Sequence, residues 1–166
     1  MDEVGARSHA RQKAIGDTEA AADLADRALR DMSDNANKMG TSMELIQNAY
    51  QGFAKQNYTM LDNLKLGYGG TKEEMERLVA EAANMTKAQA ELGVTVDGTS
   101  LSFANIVNAI SVVQKNMGIM GTTAKEASST IQGSTASMKS AWKNMLTGMA
   151  DGTKIRWRMA HIRKRI

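Results

Sequence analysis

TSMELIQNAYQGFAKQNYTMLDNLKLGYGGT, from Thr41 to Thr71, carries the strongest structural signals in the chain. It holds all three tyrosines, Tyr50, Tyr58 and Tyr68, together with Phe53. Aromatic residues make up only 4% of the chain, and aromatic side chains contribute heavily to packing energy. We therefore expect a specific packed structure here before anywhere else.

Both ends of this segment carry residues that start or stop helices. Thr41 and Glu44 have the spacing of a capping box, in which each residue satisfies the other's backbone N–H. Gly40 suits the left-handed residue that closes a preceding helix. The Gly67–Gly70 stretch disfavours helix, because each glycine costs about 1 kcal/mol relative to alanine. We predict a helix from Thr41, a break at 57–59, a second short helix, and a glycine turn onto which Tyr68 folds back as an anchor.

A family resemblance begins in the same region. NAYQGFAKQNYTMLDNLKLGYGGTKEEMERL, from Asn48 to Leu78, resembles a segment of phage tail tape measure proteins. Two more phrases follow in order, GIMGTTAKEASSTIQGS (Gly118–Ser134) and MKSAWKNMLTGMAD (Met138–Asp151). The resemblance covers roughly residues 25–151. It does not extend into residues 1–16 or 152–166.

The resemblance implies a structural protein of the virion tail, made in the bacterial host cytoplasm. Tape measure proteins occupy the lumen of the tail tube and set its length by their own extent. The expected partners are the tail tube protein and tail assembly chaperones, with further copies of the chain through helical faces. Even fully helical, 166 residues reach only about 250 Å at 1.5 Å per residue. That is short for the family, so we expect a fragment or a truncated prophage relative.

Composition predicts an all-α fold. Proline is absent, so no ring interrupts a helix. We predict four to five amphipathic helices, loosely packed or extended and joined by turns in which glycine precedes a capping Thr or Ser. Gly-Thr pairs stand at 40–41, 70–71, 98–99 and 121–122. The apolar faces are thin and rich in Ala and Met, so they bury little area alone and call for a partner.

Helical spacing places the predicted elements along the chain. Residues 1–16 are predicted to be a flexible lead-in, and 17–151 a helical region that resembles tape measure proteins. The first helix is expected from an N-cap at Asp17 to about Met39, with Asp31 on its polar side. The later helices are expected at 71–92, from 99 or 100 to 117, and from Thr122 or Thr123 to about Met149.

Most of the basic charge lies at the C-terminus. The net charge is +3, but Lys154–Ile166 holds six of the 21 Lys and Arg residues and no acid. Three interpretations of residues 152–166 stay open. The tail binds anionic lipid or nucleic acid, it is a solvated terminal helix, or the reading frame has shifted after about Asp151 and the tail is disordered. Membrane contact is expected through 154–166 alone, and no specific nucleic acid is expected.

Residue types argue against catalysis. Cysteine is absent, and the two histidines, His9 and His161, lie near opposite ends. Neither a zinc His-Glu-x-x-His motif nor a Gly-x-Ser-x-Gly elbow occurs. Adjacent Glu73 and Glu74 suit the start of a helix, where acids complement the dipole. We predict no enzyme and no catalytic, cofactor-binding or metal site.

Two tryptophans and one apolar run are candidates for packing or membrane roles. Trp142 is expected to be a packing anchor, and Trp157 is the better candidate for a membrane interface. The run Leu101–Val113 is too short and too polar to span a bilayer. The alternative function is therefore a free-standing helical interaction or membrane-active protein that uses the basic C-terminal tail.

Overall fold

The computed structural model describes residues 3–126, and the side chains of residues 16–124. The described part contains six α-helices and one short 3-10 helix, and no strand is found within it. The all-α prediction is confirmed. The helices are α1 (Glu3–Met39), α2 (Met43–Ala54), the 3-10 helix (Leu61–Leu64), α3 (Lys72–Asn84), α4 (Thr86–Leu92), α5 (Phe103–Asn116) and α6 (Thr122–Glu126).

The first helix is longer than the sequence predicted. It begins at Glu3, so Asp17 lies inside α1 and the N-cap predicted there is wrong. A Cβ added at Gly16 would meet no atom within 4 Å outside its own stretch of helix, and one exposed glycine costs a helix only about 1 kcal/mol. Residues 16–23 are all exposed, and burial along α1 begins at Ala25. Among the residues of α1 whose side chains are described, packing against the other helices therefore begins at Ala25.

The core is built mainly by the aromatic segment and the helices that cover it. Tyr50 and Phe53 of α2 are buried, with ring centroids 5.7 Å apart, and Phe53 stacks on Tyr58 at 6.4 Å. The largest fully buried side chains also include Ile46, Leu61, Leu64, Met75, Leu78, Ile106 and Ile110. This packing differs from the loose or extended arrangement that we expected. The reason is that aromatic and branched side chains, rather than the Ala and Met faces alone, fill the interior.

Two predicted N-caps of α2 and α3 have different outcomes. The cap of α2 is Ser42, whose hydroxyl accepts from the backbone N–H of Leu45 at 3.4 Å. Thr41 instead donates its hydroxyl to the carbonyl of Asn63 at 3.1 Å, so the predicted capping box is wrong. Thr71 does cap α3 and accepts from the N–H of Glu74 at 3.2 Å.

The helix predicted over residues 71–92 is broken at Met85 into α3 and α4. The side chain of Gln89 holds the break together. Its amide nitrogen donates to the carbonyls of Ala82 and Ala83 at 2.9 and 2.8 Å, and its oxygen accepts from Val96 N at 3.0 Å. A buried glutamine thus satisfies the carbonyls that a helix end leaves without partners.

Of the two remaining helix starts, that of α5 is shifted, whereas that of α6 lies at one of the two predicted residues. Ser102, not Thr99 or Ser100, is the N-cap of α5. Thr122 is the first residue of α6. Several predictions lie outside the described residues. They concern the continuation of the last helix to Met149, the roles of Trp142 and Trp157, and the tail 152–166.

Candidate functional site

The attachment of α1 to the other helices is mostly polar. Its buried apolar residues in the described part are only Ala25, Ala28 and Met32. A row of polar side chains makes the other contacts, and we call this row the α1 seam. The contacts of the α1 seam are Arg27 to Asn108, Asp31 to Ser111, Ser33 and Asn37 to Thr123, Asp34 to the N–H groups of Gly121 and Thr123, and Asn35 to the carbonyl of Leu64.

Asp31 lies at the centre of this seam and is completely buried. Its Oδ2 makes a short hydrogen bond with the hydroxyl of Ser111 on α5. Burial raises the pKa of Asp31 from 3.8 to about 7, against the lowering effect of Ser111. The negative charge of Asp34 adds to the rise, while Arg27 and Arg30 oppose it. The expectation that Asp31 lies on the solvent side of α1 is wrong, because α5 covers that side of the helix.

Several buried polar atoms have no hydrogen-bond partner among the described residues. They are Asp31 Oδ1, Asn35 Oδ1, Tyr50 Oη and both amide atoms of Gln114. Burial and the Asp31 charge raise the pKa of Tyr50 well above its usual value. Each unpaired buried group costs about 1–3 kcal/mol. The seam therefore positions α1 at an energetic cost that an apolar interface would avoid.

Replacing Tyr50 by phenylalanine should raise the free energy of unfolding by about 1 kcal/mol, because the mutation removes a buried hydroxyl without a partner. Tyr68→Phe is the matched control, since the Tyr68 hydroxyl donates to Glu81 Oε2 at 2.6 Å. That control should lose about 1 kcal/mol. Urea unfolding of both variants measures the difference, and a destabilised Tyr50→Phe protein would show that its hydroxyl is bonded in solution.

Asp34 fixes the beginning of α6. Its two carboxylate oxygens accept from Gly121 N at 2.7 Å and Thr123 N at 2.8 Å. A carboxylate at this position satisfies backbone donors that the first turn of a helix leaves without partners. Thr123 was predicted to cap the last helix. Instead it lies within α6, its N–H bonds Asp34, and its hydroxyl contacts Ser33 and Asn37.

Asp34→Ala should destabilise the protein by about 2 kcal/mol, because two charge-assisted backbone hydrogen bonds are lost. The loss should appear first as faster hydrogen exchange at residues 119–124. Asp23→Ala, on an exposed position of the same helix, is the control for helix propensity and charge. Equal exchange in the two variants would contradict a capping role for Asp34.

The glycine turn is held by a surface network around Tyr68. The Tyr68 hydroxyl donates to Glu81, and the Arg77 guanidinium lies 4.5 Å from the centroid of the Tyr68 ring. Arg77 also donates to the carbonyl of Gly67 at 3.0 Å and to Glu74 Oε2 at 2.7 Å. Burial, followed by the hydrogen bond to Glu81, raises the pKa of Tyr68. The prediction that Tyr68 folds back as an anchor is confirmed.

Glu74 serves the turn as well. Its carboxylate accepts from Gly69 N at 3.0 Å, and the hydrogen bond from Arg77 lowers its pKa. Glu73 lies in a shallow open groove between α3 and the 98–101 segment, lined by Glu73, Glu76, Arg77, Ala80, Gly98, Thr99 and Leu101. Glu76 is paired with Lys72 at 3.2 Å. Glu74 and Glu76 therefore have structural partners.

Two searches of the described residues bear on other kinds of site. No group of three or more His, Cys, Asp or Glu side chains that could hold a metal ion was found there. No helix within residues 3–126 is long and apolar enough to cross a membrane. The candidate site that the geometry supports is the α1 seam, where α1 is attached to α5, α6 and the 3-10 helix.

The α1 seam could not be recognised from the sequence pattern of α1. The run DMSDN, residues 31–35, contains Asp31, Asp34 and Asn35. Such a mostly polar run is typical of an exposed helix surface. Comparisons with protein-family models, with curated proteins and with solved structures found no match.

Proposed function

We propose that this chain is part of a phage tail tape measure protein, a structural protein that lies in the lumen of the tail tube during assembly and sets tube length. The observation that carries the proposal is the long phrase Asn48–Leu78, which resembles that family. This phrase covers the second half of α2, the 3-10 helix, the glycine turn and the first half of α3. The all-α fold supports the same proposal.

Helices suit a ruler because each residue adds a fixed rise of about 1.5 Å. The 37 residues of α1 span about 55 Å as a continuous helix. The packed residues from Ala25 to Ile119 add a compact body to this rod. In the proposed role, α1 contributes length, and the body contributes surface for the tube or for other copies.

The partners expected of such a segment are the tail tube protein, tail assembly chaperones and further copies of the chain. Residues 16–23, in the middle of α1, are all exposed and available for contacts of this kind. Leu45, Met60 and Met117 are large apolar side chains that are each more than 40% exposed. These residues are the first to examine by crosslinking in assembled tails.

The proposal is tested by locating this sequence in tails of a phage that carries it. Antibodies raised against residues 41–119 should detect the protein in disrupted tails, while intact tails should protect it from protease. After DNA ejection in vitro, the protein should be lost from the tube. Detection on the outer surface of intact tails, or complete absence from purified tails, would contradict a lumenal role.

The alternative of a membrane-active protein depends on residues 154–166, which lie outside the described part. It stays a prediction from the sequence. Vesicles with anionic lipid should bind the full chain and release it when residues 154–166 are removed, if that alternative holds. Binding that survives the truncation would contradict it.

A further inference from the structure

We infer that the second half of α1 is a pH-controlled clasp, which docks on α5, the start of α6 and the 3-10 helix when Asp31 carries a proton and undocks as Asp31 ionises. This inference is independent of the proposed function, because it uses only the contacts of the α1 seam. It adds a conformational change that a structural role in a tail does not by itself imply.

The first support is that α1 can leave without dismantling the core. Its buried apolar residues in the described part are two alanines and Met32, whereas α2, α3 and α5 supply Tyr50, Phe53, Leu78 and Ile110 to the interior. A three-residue connection, Gly40 to Ser42, joins α1 to α2. Gly40 has a φ of +66°, a backbone conformation that glycine adopts at little cost. The clasp therefore has a short hinge and a small apolar contact to give up.

The second support is the hydrogen-bond arithmetic at Ser111. Its hydroxyl lies within bonding distance of two acceptors, Asp31 Oδ2 and the carbonyl of Val107, the latter at 3.0 Å. A hydroxyl has one proton to donate. If Asp31 is protonated, it donates to Ser111 while Ser111 donates to Val107, and both contacts are satisfied. If Asp31 is ionised, Ser111 donates to Asp31 and the contact with the carbonyl of Val107 joins acceptors only. The bond from Ser111 lowers the pKa of Asp31, but burial outweighs it.

The third support is that, among the side chains described for residues 16–124, no cation forms a direct ion pair with an ionised Asp31. The groups that act on it are Arg27, Arg30 and Asp34 from α1 itself and Tyr50 from α2, and α5 offers the uncharged Ser111. Arg27 donates to Asn108 Oδ1 at 2.6 Å, and Arg30 is paired with Asp26. Tyr50 is neutral at ordinary pH. Burial therefore dominates and raises the pKa of Asp31 to about 7.

The direction of the pH effect follows from this rise. A carboxyl that binds its proton more tightly when docked stabilises docking at pH below its undocked pKa of 3.8. That contribution falls as pH rises and is lost once pH passes about 7. Between pH 5 and pH 8 the docking equilibrium should weaken about 100-fold, by linkage between the two pKa values.

Hydrogen exchange on the full chain tests the clasp, with rates corrected for the intrinsic effect of pH. An undocked single helix is marginal in water, so its amides exchange. We expect amides 25–39 to be less protected than amides 75–84, and their protection to fall about 100-fold from pH 5 to pH 8. Identical protection of the two segments at both pH values would overturn the inference, because α1 and the core would then open only together.

Two variants separate the titration of Asp31 from a purely structural role. Asp31→Asn cannot ionise and should abolish the fall in protection, whereas the exposed control Asp23→Asn should retain it. Should Asp31→Asn fail to fold, Ser111→Ala provides the second test. Loss of the hydroxyl that lowers the pKa of Asp31 should extend the fall to higher pH. A fall that persists in Asp31→Asn, or an unchanged pH window in Ser111→Ala, would overturn the inference.

Discussion

Gly70→Ala should lower the free energy of unfolding by about 3 kcal/mol or more, a loss at the upper end for overpacking. A methyl group added at Gly70 would lie 2.3 Å from the carbonyl oxygen of Thr59 and 2.9 Å from its carbonyl carbon. Both are backbone atoms, so no side chain can rotate away. The glycine turn and the break after α2 would have to separate. Urea unfolding with near-ultraviolet circular dichroism of the tyrosines measures the loss.

The neighbouring residue is the control for this substitution. A methyl group at Gly69 would meet only Glu74 Cγ at 3.5 Å, an ordinary contact. Gly69→Ala also keeps the N–H that donates to Glu74. It should change stability by no more than about 0.5 kcal/mol. Equal losses in the two variants would show that the approach of Gly70 to Thr59 does not limit stability.

Phe53→Ala should cost about 3–5 kcal/mol, the usual range for truncating a buried phenylalanine. Phe53 is 1% exposed, and its ring lies between those of Tyr50 and Tyr58. Its loss leaves a cavity where α2 meets the segment that follows it. Thermal and urea unfolding should both shift, and the tyrosine signal should weaken in the native state.

Leu45→Ala is the comparison within the same helix. Leu45 is 45% exposed, so its truncation should cost less than about 1 kcal/mol. Both substitutions favour helix, which removes propensity as an explanation. Similar losses for Phe53→Ala and Leu45→Ala would contradict a core centred on the aromatic segment.

The aromatic segment is where sequence reasoning succeeded. Local sequence patterns report interactions between nearby residues. Four features of this segment depend on such interactions: the interruption at 57–59, the turn at 67–70, the anchor Tyr68 and the cap Thr71. The cap of α2 shows the limit. Thr41 and Ser42 are both competent caps, and the choice is made by the bond from Thr41 to the carbonyl of Asn63, 22 residues away.

The break at Met85 and the α1 seam could not be predicted for the same reason. Gln89 is a polar residue on the apolar face of the helix predicted over residues 71–92. Nothing in the neighbouring sequence indicates that its amide donates to the carbonyls of Ala82 and Ala83. The residues next to Asp31 in the sequence are those expected around a solvent-exposed side chain. Its burial depends on Ser111, 80 residues further along the chain. The apolar face of α1 is thin, as predicted. The polar side of the same helix is a contact surface, which was not predicted.

Tail length tests the proposed role most directly. Residues 17–126 should be deleted in frame from the gene of a phage that carries this sequence, and tails measured by electron microscopy. A ruler segment of 110 residues should shorten the tails, by up to about 165 Å if it is helical from end to end in the tube. Infectious tails of unchanged length would contradict the account.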